Sequence, residues 1–370
     1  MKPFQISISD TVIKDLNSRL DQTRWPDEIQ DSAWEYGTNM SYLKTLCHYW
    51  RSDFNWQEQE NNLNLFHHFK TDTGIHFIHE RGKGTKNIPL MLIHGWPDSF
   101  YRFVKLIPLL TEPDENGVAF DIIVPSIPGF GFSDKPTQTG MSPNKIATLF
   151  NQLMTVQLGY NDFYIHGGDW GSSIASQMAM QSNNHVRGLH LTNVPPEFLF
   201  SIHPEELSDE EKTFIQNSRQ RQMTDGAYML LQRTKPQTLA YGLNDSPVGL
   251  ASWIIEKFRA WSDNNGDIEE RFSKDELLTN LSIYWFTQTA GSASRIYYEA
   301  MHQQPPSSKL NIEVPVYMSV FPKDPIQIPE TIGRPFFNLK NWEVMPEGGH
   351  FPAMEVPGLL ATAIRKSLLH

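Results

Sequence analysis

Two periodicities alternate along the chain. Apolar runs of strand length occur at Ile88-Pro89-Leu90-Met91-Leu92-Ile93, Phe120-Asp121-Ile122-Ile123-Val124-Pro125, Phe163-Tyr164-Ile165-His166 and Val186-Arg187-Gly188-Leu189-His190-Leu191. They return at Val314-Pro315-Val316-Tyr317-Met318-Ser319-Val320 and near Trp342-Glu343-Val344-Met345. Near-continuous apolar strands are buried on both faces, as in a parallel sheet. Between them lie helical spacings. Ser142-Pro143 opens a helix with Ile146, Leu149, Phe150, Leu153 and Val156 on one broad side. Strands alternating with helices predict an α/β fold, a mostly parallel, doubly wound sheet with helices on both faces.

The pattern changes at both flanks of this core. Residues 1–70 are polar with scattered apolar anchors (Trp34, Tyr36, Tyr42, Leu43, Leu46, Tyr49, Trp50, Phe54, Trp56). One helix is expected after Ser9-Asp10, carrying Val12, Ile13, Leu16 and Leu20. This segment reads as an extension wrapped over the core, which comprises 71–195 and 307–370. From 196 to 306 the chain is helical and charged, with Glu205, Glu206, Asp209, Glu210 and Glu211 followed by Trp253, Ile254, Phe258 and Trp261. A helical insertion between strands sits over the strand ends, so it is expected to form a lid, with Pro305-Pro306 as its return hinge.

Composition narrows the function. A formal charge of −11 argues against nucleic acid or an anionic membrane surface as the main partner. Cys47 is the only cysteine, so no intrachain disulfide can form. The first ten residues lack an apolar run of signal-peptide length and no later run reaches membrane-span length, which leads to the expectation of a soluble, cytoplasmic protein.

The chemistry concentrates where Asp162-Phe163-Tyr164-Ile165-His166 meets Gly167-Gly168-Asp169-Trp170-Gly171 and then the helical run from Ser172. Strand, sharp turn, helix is the setting of a nucleophile elbow. Small residues two before and two after the exposed side chain let strand and helix pack closely. Gly167 and Gly171 hold those places, so the exposed residue is Asp169. The simpler reading is a helix-capping aspartate. As a nucleophile, a carboxylate is already ionised near neutral pH, and it can displace a leaving group from saturated carbon to form an ester. That ester then needs water and a base. His94-Gly95-Trp96-Pro97 follows an earlier strand, where such hydrolases take one oxyanion-hole N–H; the other comes from the residue after the nucleophile. Those residues are Trp96 and Trp170. Downstream, Asp324 follows one strand and His350 follows a Gly-Gly turn after the last, so the order is nucleophile, acid, histidine. Glu330 is a second acid candidate. In the lid, Tyr228 and Tyr297 are phenols that could hydrogen-bond an oxygen becoming an alkoxide, with Tyr298 adjacent to the second.

Other motifs read as structural. His67, His68, His76 and His79 cluster, but His76 and His79 fall on opposite faces of an alternating strand and no zinc-ligand spacing is present. Gly129 and Gly131 lack the spacing of a phosphate loop.

Taken together the chain resembles the epoxide hydrolases of the α/β-hydrolase superfamily, of the microsomal type with its soluble microbial relatives. The resemblance covers nearly the full chain. It rests on Thr23-Arg24-Trp25-Pro26, Ile75-His76-Phe77-Ile78-His79, His94-Gly95-Trp96-Pro97, Gly167-Gly168-Asp169-Trp170-Gly171, Leu243-Asn244-Asp245-Ser246-Pro247-Val248-Gly249-Leu250 and Gly348-Gly349-His350-Phe351. It implies Asp169 as nucleophile, His350 as base, Asp324 as its acid partner, and Tyr228 and Tyr297 as donors to the epoxide oxygen. The substrate implied is a small apolar epoxide; no metal and no organic cofactor is implied, and a homodimer is common among similar proteins. Membrane-bound relatives carry an N-terminal anchor, and the resemblance places the start of this chain past it. Detoxification, carbon-source degradation and biosynthesis stay open as roles.

Three rivals remain at this level. A haloalkane dehalogenase also uses an elbow Asp followed by Trp, but halide release calls for N–H donors, whereas paired phenols suit an epoxide. A serine esterase would have to use Ser172 or Ser173, beyond the exposed corner. A non-catalytic ligand-binding member of the fold can lose nucleophile or base, and this chain keeps both.

Overall fold

The computed structural model describes residues 1–370 except 202–206, 304–309, 326 and 370. Its strands are β1 (Lys2–Pro3), β2 (His68–Lys70), β3 (His76–Glu80), β4 (Lys86–Ile93), β5 (Val118–Pro125), β6 (Phe163–Gly167), β7 (Val186–Leu191), β8 (Ile312–Val320) and β9 (Phe337–Val344). They form one sheet in the order β1-β2-β3-β5-β4-β6-β7-β8-β9. From β5 through β9 all neighbours run parallel, while β3, β2 and β1 each add antiparallel at one edge.

The apolar runs divide two cores by alternation. In β4, Met91 and Ile93 join the cluster on one face of the sheet, and Leu90 and Leu92 join the cluster on the other. Successive side chains of a strand point to opposite faces, so a run apolar at every position serves both. β5 does the same, with Phe120, Ile122 and Val124 on one side and Ile123 on the other.

Between β7 and β8 the described residues include six helices of eight or more residues: Asp209–Asp225, Ala227–Thr234, Pro236–Asp245, Pro247–Trp261, Lys274–Thr287 and Ala290–His302. Ser208 and Ser273 open two of them with reciprocal caps to Glu211 and Glu276. Glu205, Glu206 and the Pro305-Pro306 hinge expected from sequence lie outside the described residues.

Residues of the N-terminal segment pack against this insertion and on the sheet, where Ile6, Trp56 and Leu63 join the cluster of Leu90 and Leu92. Its helices span Asp10–Asp21, Met40–Ser52 and Trp56–Leu63. Leu43, Leu46 and Trp50 bury in the same cluster as Leu277, Leu278 and Leu281. Trp50 Nε1 donates to Ser282 Oγ (3.0 Å), Tyr49 OH to Asp275 (3.0 Å) and Thr38 Oγ1 to the Ser252 carbonyl (2.7 Å).

Local structure departs from the sequence reading in four places. β1 and β2 were not expected, because two or three residues are too few to show a period. β9 starts at Phe337, upstream of the apolar Trp342 region, since its outer positions face solvent. Val156 is 77% exposed instead of lying on the apolar side of its helix. The last turn, Leu153–Gln157, is widened to i→i+5 hydrogen bonding, which rotates Val156 off that side. Ser9 flanks the first helix without a side-chain capping bond.

Candidate active site

β6 ends at Gly167 and the helix Trp170–Gln181 begins three residues later. Turning so fast requires close packing. A Cβ on Gly167 would lie 2.3 Å from the Gly171 carbonyl oxygen, and one on Gly171 would lie 2.0 Å from that of Ile93. Between them Asp169 adopts φ +53°, ψ −129°, outside the ordinary regions for an L-residue. Such a backbone persists only where its surroundings hold it. Here the Asp169 N–H donates to Asn193 Oδ1 (2.8 Å), at the end of β7, and Ser172 Oγ donates to the Asp169 carbonyl (2.7 Å).

The Asp169 carboxylate points to the loop after β4. Trp96 N–H donates to its Oδ1 at 2.8 Å. Gly95 permits this approach, for a Cβ there would sit 2.2 Å from the same oxygen. On the other side His350 Nε2 lies 3.5 Å from Asp169 Oδ2, and its Nδ1 lies 3.1 Å from Asp324 Oδ1. Nε2 is buried without a well-formed hydrogen bond to protein. The imidazole therefore stands between two carboxylates. Glu330, the other acid candidate, pairs with Arg334 instead.

Tyr228 and Tyr297 come from separate helices of the insertion, their ring centroids 6.2 Å apart, and both lie near enough to Asp169 to feel its charge. Trp96 stacks on Tyr228 at 5.1 Å and 7°, and stands edge-on to Tyr297 at 5.8 Å. Trp170 packs edge-on to Tyr297 at 4.8 Å, and Trp261 closes the group against Tyr228 and His350. Tyr298 turns elsewhere and stacks on His302.

Electrostatics follow from this geometry. Burial would raise the Asp169 carboxyl, but the proximity and charge of His350, then the N–H groups of Trp96 and Trp170, outweigh it and hold it low. Burial opposes charge on His350 too; Asp324 first, then Asp169, overcome it and push the imidazole up to about 10. The resting site is thus carboxylate and imidazolium. Burial, with Asp169 adding repulsion, drives both phenols above their ordinary value, so Tyr228 and Tyr297 keep their protons.

Several supporting residues escaped the sequence reading. Asp98 accepts from Gly95 N–H (2.9 Å) and pairs with Arg102, whose guanidinium also donates to the His350 carbonyl. Tyr284 OH donates to the Asp98 carbonyl (2.8 Å). Glu355 accepts from the N–H groups flanking His350, Gly349 (3.0 Å) and Phe351 (2.8 Å), while His350 N–H donates to the Trp261 carbonyl (2.8 Å). Only Asp98 carried a signal, its place directly after His94-Gly95-Trp96-Pro97. Ser172 and Ser173 spend their hydroxyls on the Asp169 carbonyl and on Glu197. Of the histidine cluster only His68 and His76 form a buried hydrogen-bonded pair, at 2.9 Å, with His76 going on to Ser126 at 2.8 Å; His67 is exposed beside Glu80 and His79 bonds Tyr160.

A parallel sheet carrying a strand–turn–helix corner at its centre defines a hydrolase of the α/β-hydrolase fold, and residues 88–357 match the family model described as alpha/beta hydrolase fold. Residues 1–103 match the model described as epoxide hydrolase N terminus. The chain is 38% identical over 405 residues to epoxide hydrolase 1 of Sus scrofa, covering 99% of this chain and 88% of that protein. It is 34% identical over 404 residues to juvenile hormone epoxide hydrolase 2 of Ctenocephalides felis, covering 100% and 86%. The crystal structure of juvenile hormone epoxide hydrolase from Bombyx mori superposes with a TM-score of 0.86 at 32% identity, covering 99% of this chain and 93% of that one. That of Aspergillus niger epoxide hydrolase gives 0.84 at 29% identity, covering 100% and 96%. The protein belongs to the epoxide hydrolase family.

Proposed function

We propose that the enzyme converts a small apolar epoxide and water to a vicinal diol through an ester on Asp169. One observation supports the reading: the Asp169 carboxylate lies between the Trp96 N–H and the His350 imidazole, and the rings of Tyr228 and Tyr297 pack on Trp96 beside it.

In the first half-reaction an Asp169 oxygen attacks a ring carbon and the ring C–O bond breaks. The departing electron pair settles on the ring oxygen, which takes a proton from Tyr228 or Tyr297. An O–H donor placed where charge develops lowers the barrier more than it stabilises bound substrate. The phenol that gave its proton recovers one from the imidazolium, leaving His350 neutral. Esterification also erases the Asp169 charge, one of the two that hold the imidazole high. His350 thereby becomes a base at the moment one is needed. In the second half-reaction it takes a proton from water, which adds to the ester carbonyl. The N–H groups of Trp96 and Trp170 hold the oxyanion, and Asp324 stabilises the re-formed imidazolium. Loss of the diol restores carboxylate and imidazolium, so protons balance over the cycle. Residues 196–306 serve as the lid that supplies the phenols and keeps the site dry. The aromatic lining suits an apolar substituent on the epoxide, and O–H donors favour an alkoxide over a halide leaving group.

The test is intact-protein mass spectrometry. With styrene oxide, His350→Gln should accumulate an adduct equal in mass to the whole epoxide, and Asp169→Asn should neither turn over nor form one. A single turnover in ¹⁸O-water should place the label in Asp169, not in the diol. Label appearing first in the diol would mean direct attack by water and would remove the ester from the scheme.

A further inference from the structure

The helix Pro247–Trp261 buries a cation that the scheme above does not use. Lys257 is 6% exposed, on the buried side of a helix whose apolar neighbours Ile254, Ile255 and Phe258 are also buried. Its Nζ lies 4.7 Å from the centroid of the Tyr228 ring and 5.9 Å from that of Trp261. The ammonium pairs with the carboxylate of Glu256, which is partly exposed.

Taking an ammonium out of water is unfavourable, and a long lysine usually escapes by reaching the surface. A leucine or methionine would fill the same volume without that penalty. The charge itself therefore calls for a reason, and its neighbour supplies one. Trp96 covers one face of Tyr228, Trp261 and Tyr297 pack against it, and the phenol is 9% exposed. Water reaches it poorly. The anions around it, Asp169, Glu256 and Asp324, all oppose negative charge on its oxygen. A phenol in that company is a reluctant proton donor. A cation against the ring interacts more strongly as the phenol gains negative charge, and more so where water is excluded.

We propose that Lys257 is a positioning residue for ring opening: its ammonium, held against Tyr228, stabilises the charge that grows on the phenol as the proton moves to the epoxide oxygen. In the ring-opening step the proton that moves to the substrate is that of Tyr228, and the electron pair of the broken ring bond stays on the substrate oxygen that receives it. The inference rests on the reading of Tyr228 as a donor.

Rapid-quench mass spectrometry on the full-length enzyme follows formation and decay of the ester separately. With a series of para-substituted styrene oxides, Lys257→Met should slow ester formation roughly tenfold to a hundredfold. Decay of the ester should stay within about twofold. The loss should grow with the basicity of the alkoxide released, and Lys257→Arg should recover most of the rate. Glu256→Gln, a half-exposed change, should leave ester formation equal to or faster than wild type, and it keeps the test open if Lys257→Met does not fold. In a Tyr228→Phe background Lys257→Met should cost nothing further. Equal slowing of both half-reactions, a loss independent of alkoxide basicity, or slower ester formation in Glu256→Gln would each overturn the proposal. Wild-type ester formation in Tyr228→Phe would overturn the donor reading with it. Slow Tyr228→Phe alongside unimpaired Lys257→Met would remove the Lys257 role alone.

Discussion

At the scale of single residues the site is a set of offset penalties. Asp169 holds a backbone conformation that a non-glycine residue adopts at a cost of about 1–3 kcal/mol. Its carboxylate is buried, yet two N–H groups and an imidazolium keep it ionised. His350 is buried as well, yet two carboxylates keep it charged. These shifts predict how stability varies with pH. His350 is raised in the folded protein to about 10, against an ordinary value near 6.5. Its contribution is fully present below the ordinary value and is lost as pH rises through the folded one. Asp169 is held low, so its contribution is present above the ordinary carboxylate range and is lost as pH falls. Wild-type melting temperature should therefore decline between neutrality and the folded His350 value, and His350→Gln should show a visibly flatter decline. Calorimetry of both proteins across that range is the check; parallel curves would mean the imidazole is not held between two charges.

Elements place these residues through the loops that join them. The loop after β4 and the loop after β9 carry opposite halves of the chemistry, and one buried ion pair links them. Asp98 fixes the Gly95 N–H, Arg102 fixes the His350 carbonyl, and the two side chains are paired at 1% and 3% exposure. Removing one partner of a buried pair leaves an uncompensated charge, which typically costs about 3–5 kcal/mol. Arg102→Met should lower unfolding free energy by about that amount in urea titrations. Asp98→Asn combined with Arg102→Met should regain much of it, because no lone charge remains. If the double variant is as unstable as the single, the charges are not what holds the loops.

On the scale of the whole molecule the N-terminal segment and the helical insertion share one hydrophobic core. Leu43, Leu46 and Trp50 lie in the same core as Leu277, Leu278 and Leu281, and Trp50, Tyr49 and Thr38 hydrogen-bond across to it. Fully burying each large apolar side chain contributes about 1.5–3 kcal/mol, comparable in sum to the stability of an ordinary domain. The full chain should melt in a single calorimetric transition. A chain lacking residues 1–63 should fail to give a soluble, cooperatively folded product, since it strips the cover from helix Lys274–Thr287. Two separate transitions would show that the segment folds independently. Among the described residues no helix is long and apolar enough to cross a membrane.

What could be read from the linear chain was whatever depends on neighbours a few residues apart. Strands β4 to β8 announced themselves because strands buried on both faces must be apolar at nearly every position. The corner at Asp169 was legible because its small residues stand two places either side of it, Gly167 against the Gly171 carbonyl within the turn and Gly171 against the Ile93 carbonyl at the end of β4. The edge strands β1 and β2 and the start of β9 were hidden, being short or half-exposed. The positions of Arg102, Glu355 and Lys257 in the site were equally hidden, since each has a partner on another element and a charged residue spells the same in a core as on a surface. Chain order already put Asp324 ahead of Glu330 as the acid; tertiary geometry sets its 3.1 Å distance from the imidazole and pairs Glu330 with Arg334. Local order decided which residues had the chemistry; only long-range packing decided how far apart they stand, and through desolvation and mutual charge that spacing sets which of them carry a proton.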